Sequence, residues 1–174
     1  MIPYNKDLPA VHLRAMEPED LDMLYKIEND MQIWNVGTTN VPYSRYALHE
    51  YIASSTGDIY NDRQVRLMIE AEQGEIVGII DIVNFDPRHL RAEVGIVIES
   101  NHRRRGYALA ALHQISDYSL NVLHLHQLFA VIDEDNIASL RLFEKAGFEH
   151  GGILKDWLFD GRKFKKTLFL QLFL

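Results

Sequence analysis

The 174-residue chain has the length of one domain with a full hydrophobic core, and its 47% hydrophobic and 25% charged content is ordinary for a soluble globular protein. No apolar run approaches the ~18 residues of a membrane span. The net charge of −7 argues against a nucleic-acid partner and suits cationic ones, and the absence of cysteine excludes any thiol nucleophile. Residues Met1 to Asp7 lack the basic-then-apolar layout of a secretory signal, so the expected location is cytoplasmic.

Val11-His12-Leu13-Arg14-Ala15-Met16 alternates apolar and polar residues and reads as a first strand. Pro18, followed by Glu19 and Asp20, opens a helix through Leu21, Leu24, Tyr25 and Ile27. Beyond the turn-rich stretch from Gly37 to Asn40, Ser44 is placed to cap a second helix over 45–54, and Gly57 with Asn61-Asp62 ends that region. Alternating runs over 65–72 and 76–84, joined at Gly74-Glu75, predict a hairpin, and Asp86-Pro87 turns into a fourth strand over 91–99.

Between Arg105 and Leu123 the residues Ala108, Leu112, Ile115, Tyr118 and Val122 recur at helical spacing. The continuous apolar run from Leu128 to Ile132 predicts a central strand covered on both faces and parallel to the fourth. Asn136 caps a further helix that closes at Gly147, and strands over 153–159 and 166–173 flank the turn Asp160-Gly161. The pattern is one α/β domain, residues 1–174, with a mixed sheet of about seven strands.

The segment Arg103-Arg104-Arg105-Gly106-Tyr107-Ala108 joins the fourth strand to the next helix. Such a junction leaves backbone N–H groups unpaired at the positive end of the helix dipole, which makes an anion site out of main chain. Gly106 permits close approach of a ligand, Ala108 keeps the first helical turn open, and the arginines add charge suited to a pyrophosphate. The spacing is neither a P-loop nor Gly-x-Gly-x-x-Gly. It resembles the acyl-CoA pyrophosphate loop of the GNAT N-acetyltransferases, Gln/Arg-x-x-Gly-x-Gly/Ala. Asn136-Ile137-Ala138-Ser139, followed by Phe143-Glu144-Lys145-Ala146-Gly147-Phe148, resembles that family's second hallmark, and the order of elements agrees with the GNAT fold.

The resemblance implies helices on both faces of the sheet and parallel fourth and fifth strands that splay apart around the pantetheine arm of acetyl-CoA. The cofactor-binding residues are then Ile96, Val97 and Ile98 along the fourth strand, Arg103, Arg104, Arg105, Gly106, Tyr107 and Ala108 at the pyrophosphate, and Asn136 and Phe143 on the later helix. No metal is expected: His124-x-His126 with His113 lacks a Glu or Cys to complete a ligand set.

Acetyl transfer to an amine requires loss of a proton from an ammonium of pKa ~10.4. Glu93, in Ala92-Glu93-Val94-Gly95, resembles the glutamate that some family members use as base; facing solvent or pairing with Arg91 are its alternatives. Phe143 stands where many members place a tyrosine that protonates the departing CoA thiolate, and phenylalanine has no proton to give. Ser139, one turn back, is the substitute candidate; water is its rival, and serine at a helix start often bonds local backbone instead. Strand N–H groups near Val97 or Ile98 would polarise the thioester carbonyl. With no cysteine, direct attack by the acceptor is favoured.

Glu28, Asp30, Trp34 and Tyr43 lie in or beside the loop between the first two helices, which walls the acceptor site in the family; carboxylates beside aromatic rings suit a cationic amine. The chain looks closest to the spermidine and ribosomal-protein N-acetyltransferase branches. The acceptor is therefore expected to be a small-molecule amine such as a polyamine, or alternatively a peptide N-terminus, with a non-catalytic acyl-CoA-binding module as the reading that the missing tyrosine motivates. Neither nucleic acid nor membrane is expected as partner, the basic run from Arg162 to Lys166 being read as a solvated strand start. Dimers are common in the family, so a homodimer or higher homo-oligomer is the expected assembly.

Overall fold

In the computed structural model, which describes residues 8–30 and 41–174, seven strands form one mixed sheet. In chain order they are β1 (Val11–Ala15), β2 (Val65–Ala71), β3 (Ile76–Asp86), β4 (Arg91–Ile98), β5 (Gln127–Asp133), β6 (Glu149–Phe159) and β7 (Phe164–Phe173); in space they run β1-β2-β3-β4-β5-β7-β6. The helices are α1 (Leu21–Glu28), α2 (Arg45–Ser54), α3 (Ile59–Asp62), α4 (Tyr107–Asn121) and α5 (Ile137–Lys145). Among the described residues, no helix is long and apolar enough to cross a membrane.

Among the described residues only β4 and β5 pair in parallel, and they do so at just three positions, ending with Glu93 opposite Phe129. From there β4 stays on β3, as far as Ile98 opposite Gly78, while β5 stays on β7, as far as Asp133 opposite Thr167. Each strand keeps an antiparallel neighbour on its outer edge. The inner edges of the resulting V carry backbone groups without a strand partner, a cost unless something else pairs with them.

The larger core lies on one face, where Leu109, Leu112 and Ile115 of α4 and Leu140 and Phe143 of α5 pack with Ala92 and Val94 of β4 and Leu128 and Ala130 of β5. On the other face Ile27 of α1 packs with Met68 and Ile79, and Val97 leans against them. β4 therefore alternates: even-numbered residues face α4 and odd-numbered ones face α1.

Four local expectations are corrected. The turn at Asn61-Asp62 is the short helix α3, because Asp58 accepts the Tyr60 N–H at 2.9 Å and Arg63, at φ 57°, ends it. β5 is not covered on both faces: Leu128, Ala130 and Ile132 are buried, but Phe129 and Val131 are half-buried, Phe129 stacking on Phe169 at 5.2 Å. Val122 is exposed since it caps α4 from outside the helix, so the helical period does not set its direction. β6 begins at Glu149, where backbone pairing to Gln171 extends the strand through Gly151-Gly152 without any apolar alternation to mark it.

Leu128 is fully buried beside the short β4–β5 pairing. Leu128→Ala should lower the free energy of unfolding by about 2–5 kcal/mol, measured by chemical denaturation.

Candidate active site

The site is assembled at the end of β4. Glu99, only 5% exposed, accepts hydrogen bonds from Lys26 Nζ at 2.9 Å, Ser100 Oγ at 3.0 Å and the Asn101 N–H at 2.8 Å. The Lys26 ammonium, against the opposing effect of burial and with help from the Asn101 N–H, holds this carboxyl down to about 2. Glu99 thereby ties α1 to the tip of β4 and caps the short 3-10 turn Ser100–His102. Arg103 then closes the strand end by donating from Nε to Ile98 O at 2.9 Å.

Two residues reverse the chain in the left-handed region, Arg104 at φ 62° and Gly106 at φ 90°. Glycine is required at the second, since a Cβ there would lie 2.9 Å from Pro9 Cδ. Among the described residues, the N–H groups of Gly106, Tyr107, Ala108 and Leu109 have no protein acceptor; Ala110 is the first of α4 to find one, Gly106 O at 3.1 Å. Four adjacent orphan donors at a helix start, with arginines beside them, suit a phosphate oxyanion.

These amides open into a cavity of about 700 Å³, within the usual range for small-molecule sites. Ile96, Val97 and Ile98 form one wall, Arg103, Arg104, Gly106, Tyr107 and Ala108 the turn, and Asn136, Ala138, Ser139, Leu142 and Lys145 the wall from α5. Asn136 starts that helix, its Oδ1 accepting the Ser139 N–H at 3.1 Å. An apolar slot between the end of β4 and the start of α5, ending in an anion cradle, matches a long thiol arm carrying a pyrophosphate.

Residues 10–149 match the model of the acetyltransferase (GNAT) domain. The chain belongs to the GNAT acetyltransferase family. It is thereby an N-acetyltransferase that depends on acetyl-CoA. It is 26% identical over 151 residues to a spermidine N(1)-acetyltransferase of Vibrio cholerae, covering 86% of each chain. In fold it superimposes on the crystal structure of spermidine N-acetyltransferase from Vibrio cholerae in complex with CoA and spermine, with a TM-score of 0.83 at 24% identity over 94% of this chain and 95% of that one. A dodecameric structure of the Vibrio cholerae enzyme superimposes with a TM-score of 0.78 at 23% identity, over 94% and 93%.

Within this GNAT domain, the sequence-predicted residues Ile96, Val97, Ile98, Arg103, Arg104, Gly106, Tyr107, Ala108, Asn136 and Ser139 come together around the cavity. Arg105 is exposed outside its wall, and Phe143 lies in the core, 2% exposed and edge-on to Phe148 at 4.9 Å. Glu93 sits at the apex of the V and, with Ala92 and Val94 turned into the core, faces the α1 side. It accepts a hydrogen bond from Asn84 Nδ2 at 2.7 Å, whereas Arg91 faces Asp86 at 3.3 Å instead.

On that same face Arg66 donates two hydrogen bonds to Asp81, at 2.7 and 2.8 Å, and another to Glu28. Burial opposes the guanidinium's charge, but Asp81 and Glu28 more than offset it and its pKa is raised. The Tyr51 ring lies 5.5 Å from this guanidinium. Asp30 lines a second, smaller cavity with Lys26 and Glu99; Tyr43 is tied through its backbone N–H to Asn29 Oδ1 at 2.9 Å; Trp34 lies outside the described residues.

Sequence reasoning missed His102 and Lys145 in the cavity wall, and Arg66 and Asp81 beyond it. Lys145 stands inside Lys145-Ala146-Gly147-Phe148, part of the family's second hallmark, and was legible there. The buried Nδ1 of His102 has no hydrogen-bond partner among the described residues, and nothing in its sequence neighbourhood marks it. Among the described residues no three His, Asp or Glu side chains are placed to hold a metal ion.

Two outcomes are expected. Gly106→Ala should cost about 1–2 kcal/mol of stability, from the left-handed backbone, and weaken CoA binding at least tenfold by calorimetry. Because the folded value of Glu99 lies below its ordinary 4.5, its stabilisation is complete above that pH and is lost as pH falls towards 2. The Tm difference between wild type and Glu99→Gln should therefore be widest near neutral pH and close below pH 4.5, by calorimetric scans.

Proposed function

We propose that the protein moves an acetyl group from acetyl-CoA directly to a primary amine, with a polyamine such as spermidine as acceptor. The observation that carries the proposal is the joining of an anion cradle to an apolar slot along the end of β4, where that strand has left β5, with Glu93 at the last paired position before it. The acidic face bearing Glu28, Asp81 and Glu93, and the similarity to a spermidine N(1)-acetyltransferase, support a cationic acceptor. A homo-oligomer is proposed on the likeness to the dodecameric Vibrio cholerae enzyme.

Acetyl-CoA, when bound, supplies an activated thioester. The amides of Gly106 to Leu109 with Arg103 and Arg104 would hold its pyrophosphate, and Ile96 to Ile98 with Asn136 its pantetheine. On β4, N–H groups turned away from β3 beyond Glu93 have no strand partner, so they can polarise the thioester carbonyl. Glu93, acting through water, takes the surplus proton of the ammonium. The neutral nitrogen then forms its bond to the acetyl carbon as the carbon–sulfur bond breaks; the sulfur takes a proton from the Ser139 hydroxyl or from water, and the proton that the new amide nitrogen sheds passes, through water, to restore that donor. Phe143, buried against Phe148, has no part in that proton transfer.

Release of CoA from acetyl-CoA, measured against polyamines, aminoglycosides, amino acids and N-terminal peptides, tests the acceptor: turnover is expected with spermidine or spermine, and silence with both would overturn the polyamine reading. Glu93→Gln should lower kcat/KM about 100-fold at pH 7, with the deficit shrinking as pH approaches the amine's own pKa of ~10.4; an unchanged pH–rate profile would remove Glu93 from the mechanism. Unchanged turnover in Ser139→Ala would assign the thiolate's proton to water.

A further inference from the structure

Gly95 is a glycine that the fold does not require. It lies in the middle of β4, opposite Asp81 of β3, and its φ is outside the left-handed region. A Cβ built there meets no heavy atom within 4 Å among the described residues. Gly78, by contrast, sits so close to Val97 O that any side chain would collide with it. Glycine inside a strand costs roughly 0.5–1 kcal/mol relative to alanine, and neither backbone conformation nor packing accounts for it at 95. Close approach by another molecule is one reason for such a residue; Gly152 in β6 has the same open space, but it lies on the edge strand, away from the V.

Its position says which molecule. Gly95 is two residues past Glu93, the last β4 residue paired with β5, so it lies in the crotch of the V. It belongs to the face of β4 turned towards α1, between Glu93 and Val97, while the cavity is walled by the next three residues of the strand. Around it that face carries Glu93 on the same strand and Asp81 across from it, with Asp81 fixed by Arg66, which also binds Glu28. Among the described residues, that face thus brings three carboxylates and one guanidinium near the notch.

We propose that Gly95 is the specificity-determining residue of the acceptor site: its missing side chain is the opening through which a cationic primary amine reaches the carbonyl held on the far side of β4. Arg66 is a positioning residue that keeps Asp81 and Glu28 at the rim. A slim, unbranched aminoalkyl end passes; bulk at residue 95 closes the way. The proposal rests on the acetyl-transfer reading above and adds to it the route and the residue that controls it.

The test uses the full chain loaded with CoA and titrated with spermidine, and separately with 1-aminobutane, while backbone amide NMR signals are followed. Saturable shifts are expected at Gly95, Glu93 and Asp81. Gly95→Leu should abolish those shifts and raise the KM for amine more than tenfold, with the CoA Kd within twofold of wild type; Gly95→Ala should fall between the two and covers the case in which the leucine variant does not fold. Amines that leave these signals unmoved on a CoA-loaded protein, or a Gly95→Leu or folded Gly95→Ala enzyme with wild-type KM, overturn the proposal. Failure of the wild type to bind CoA overturns the acetyl-transfer reading instead, and the two failures are thereby told apart.

Discussion

The structure depends on how briefly β4 and β5 pair. Two parallel strands at the centre of a sheet ordinarily continue their ladder for their whole length, since unpaired backbone in the interior is costly. Here the ladder ends after three positions, and the strands are kept apart by what each prefers on its other side: β3 for β4 and β7 for β5. The packing of α4 and α5 on one face fills the base of the V and leaves its mouth open. Cavity, orphan strand amides and the crotch at Gly95 all follow from that divergence.

Charge then fixes the two ends of the slot. At the outer end Glu99 draws Lys26 of α1 to the tip of β4, so the turn that presents its amides is anchored to an element on the opposite face of the sheet. At the inner end Arg66 binds both Asp81 of β3 and Glu28 at the close of α1. Both ion pairs link α1 to the central strands, across a small core of Ile27, Met68 and Ile79 that would orient the helix only weakly by itself. Directional contacts supply what the thin apolar layer lacks.

How much of this was legible in the sequence follows the range of the interactions. Strands, helices and their caps were readable because Ser44, Asn136, Gly147 and Asp160-Gly161 act within a turn of themselves. The phosphate cradle was readable for the same reason, as its amides are neighbours in the chain. Arg66 and Asp81 were not: each alternates unremarkably within its own strand, and only the β2–β3 register sets them face to face, with Glu28 brought in from 38 positions away. The burial of Phe143 was similarly hidden, because a helix pattern gives the apolar stripe but not which part of it borders a cavity. Gly95 was visible only as a glycine within a strand, since its meaning lies in the end of a pairing that no local pattern announces.

The contact between Gly106 and Pro9 makes the cradle less self-contained than its motif suggests. Leu8 is part of the cavity wall and Pro9 lies directly against the glycine, so the stretch before β1 forms the floor beneath the reversing turn. Arg-x-x-Gly-x-Ala transplanted onto another strand–helix junction would arrive without that floor, and its glycine would be free to relax. The portable unit of this site is therefore larger than its signature, and includes two residues nearly a hundred positions upstream that no signature contains.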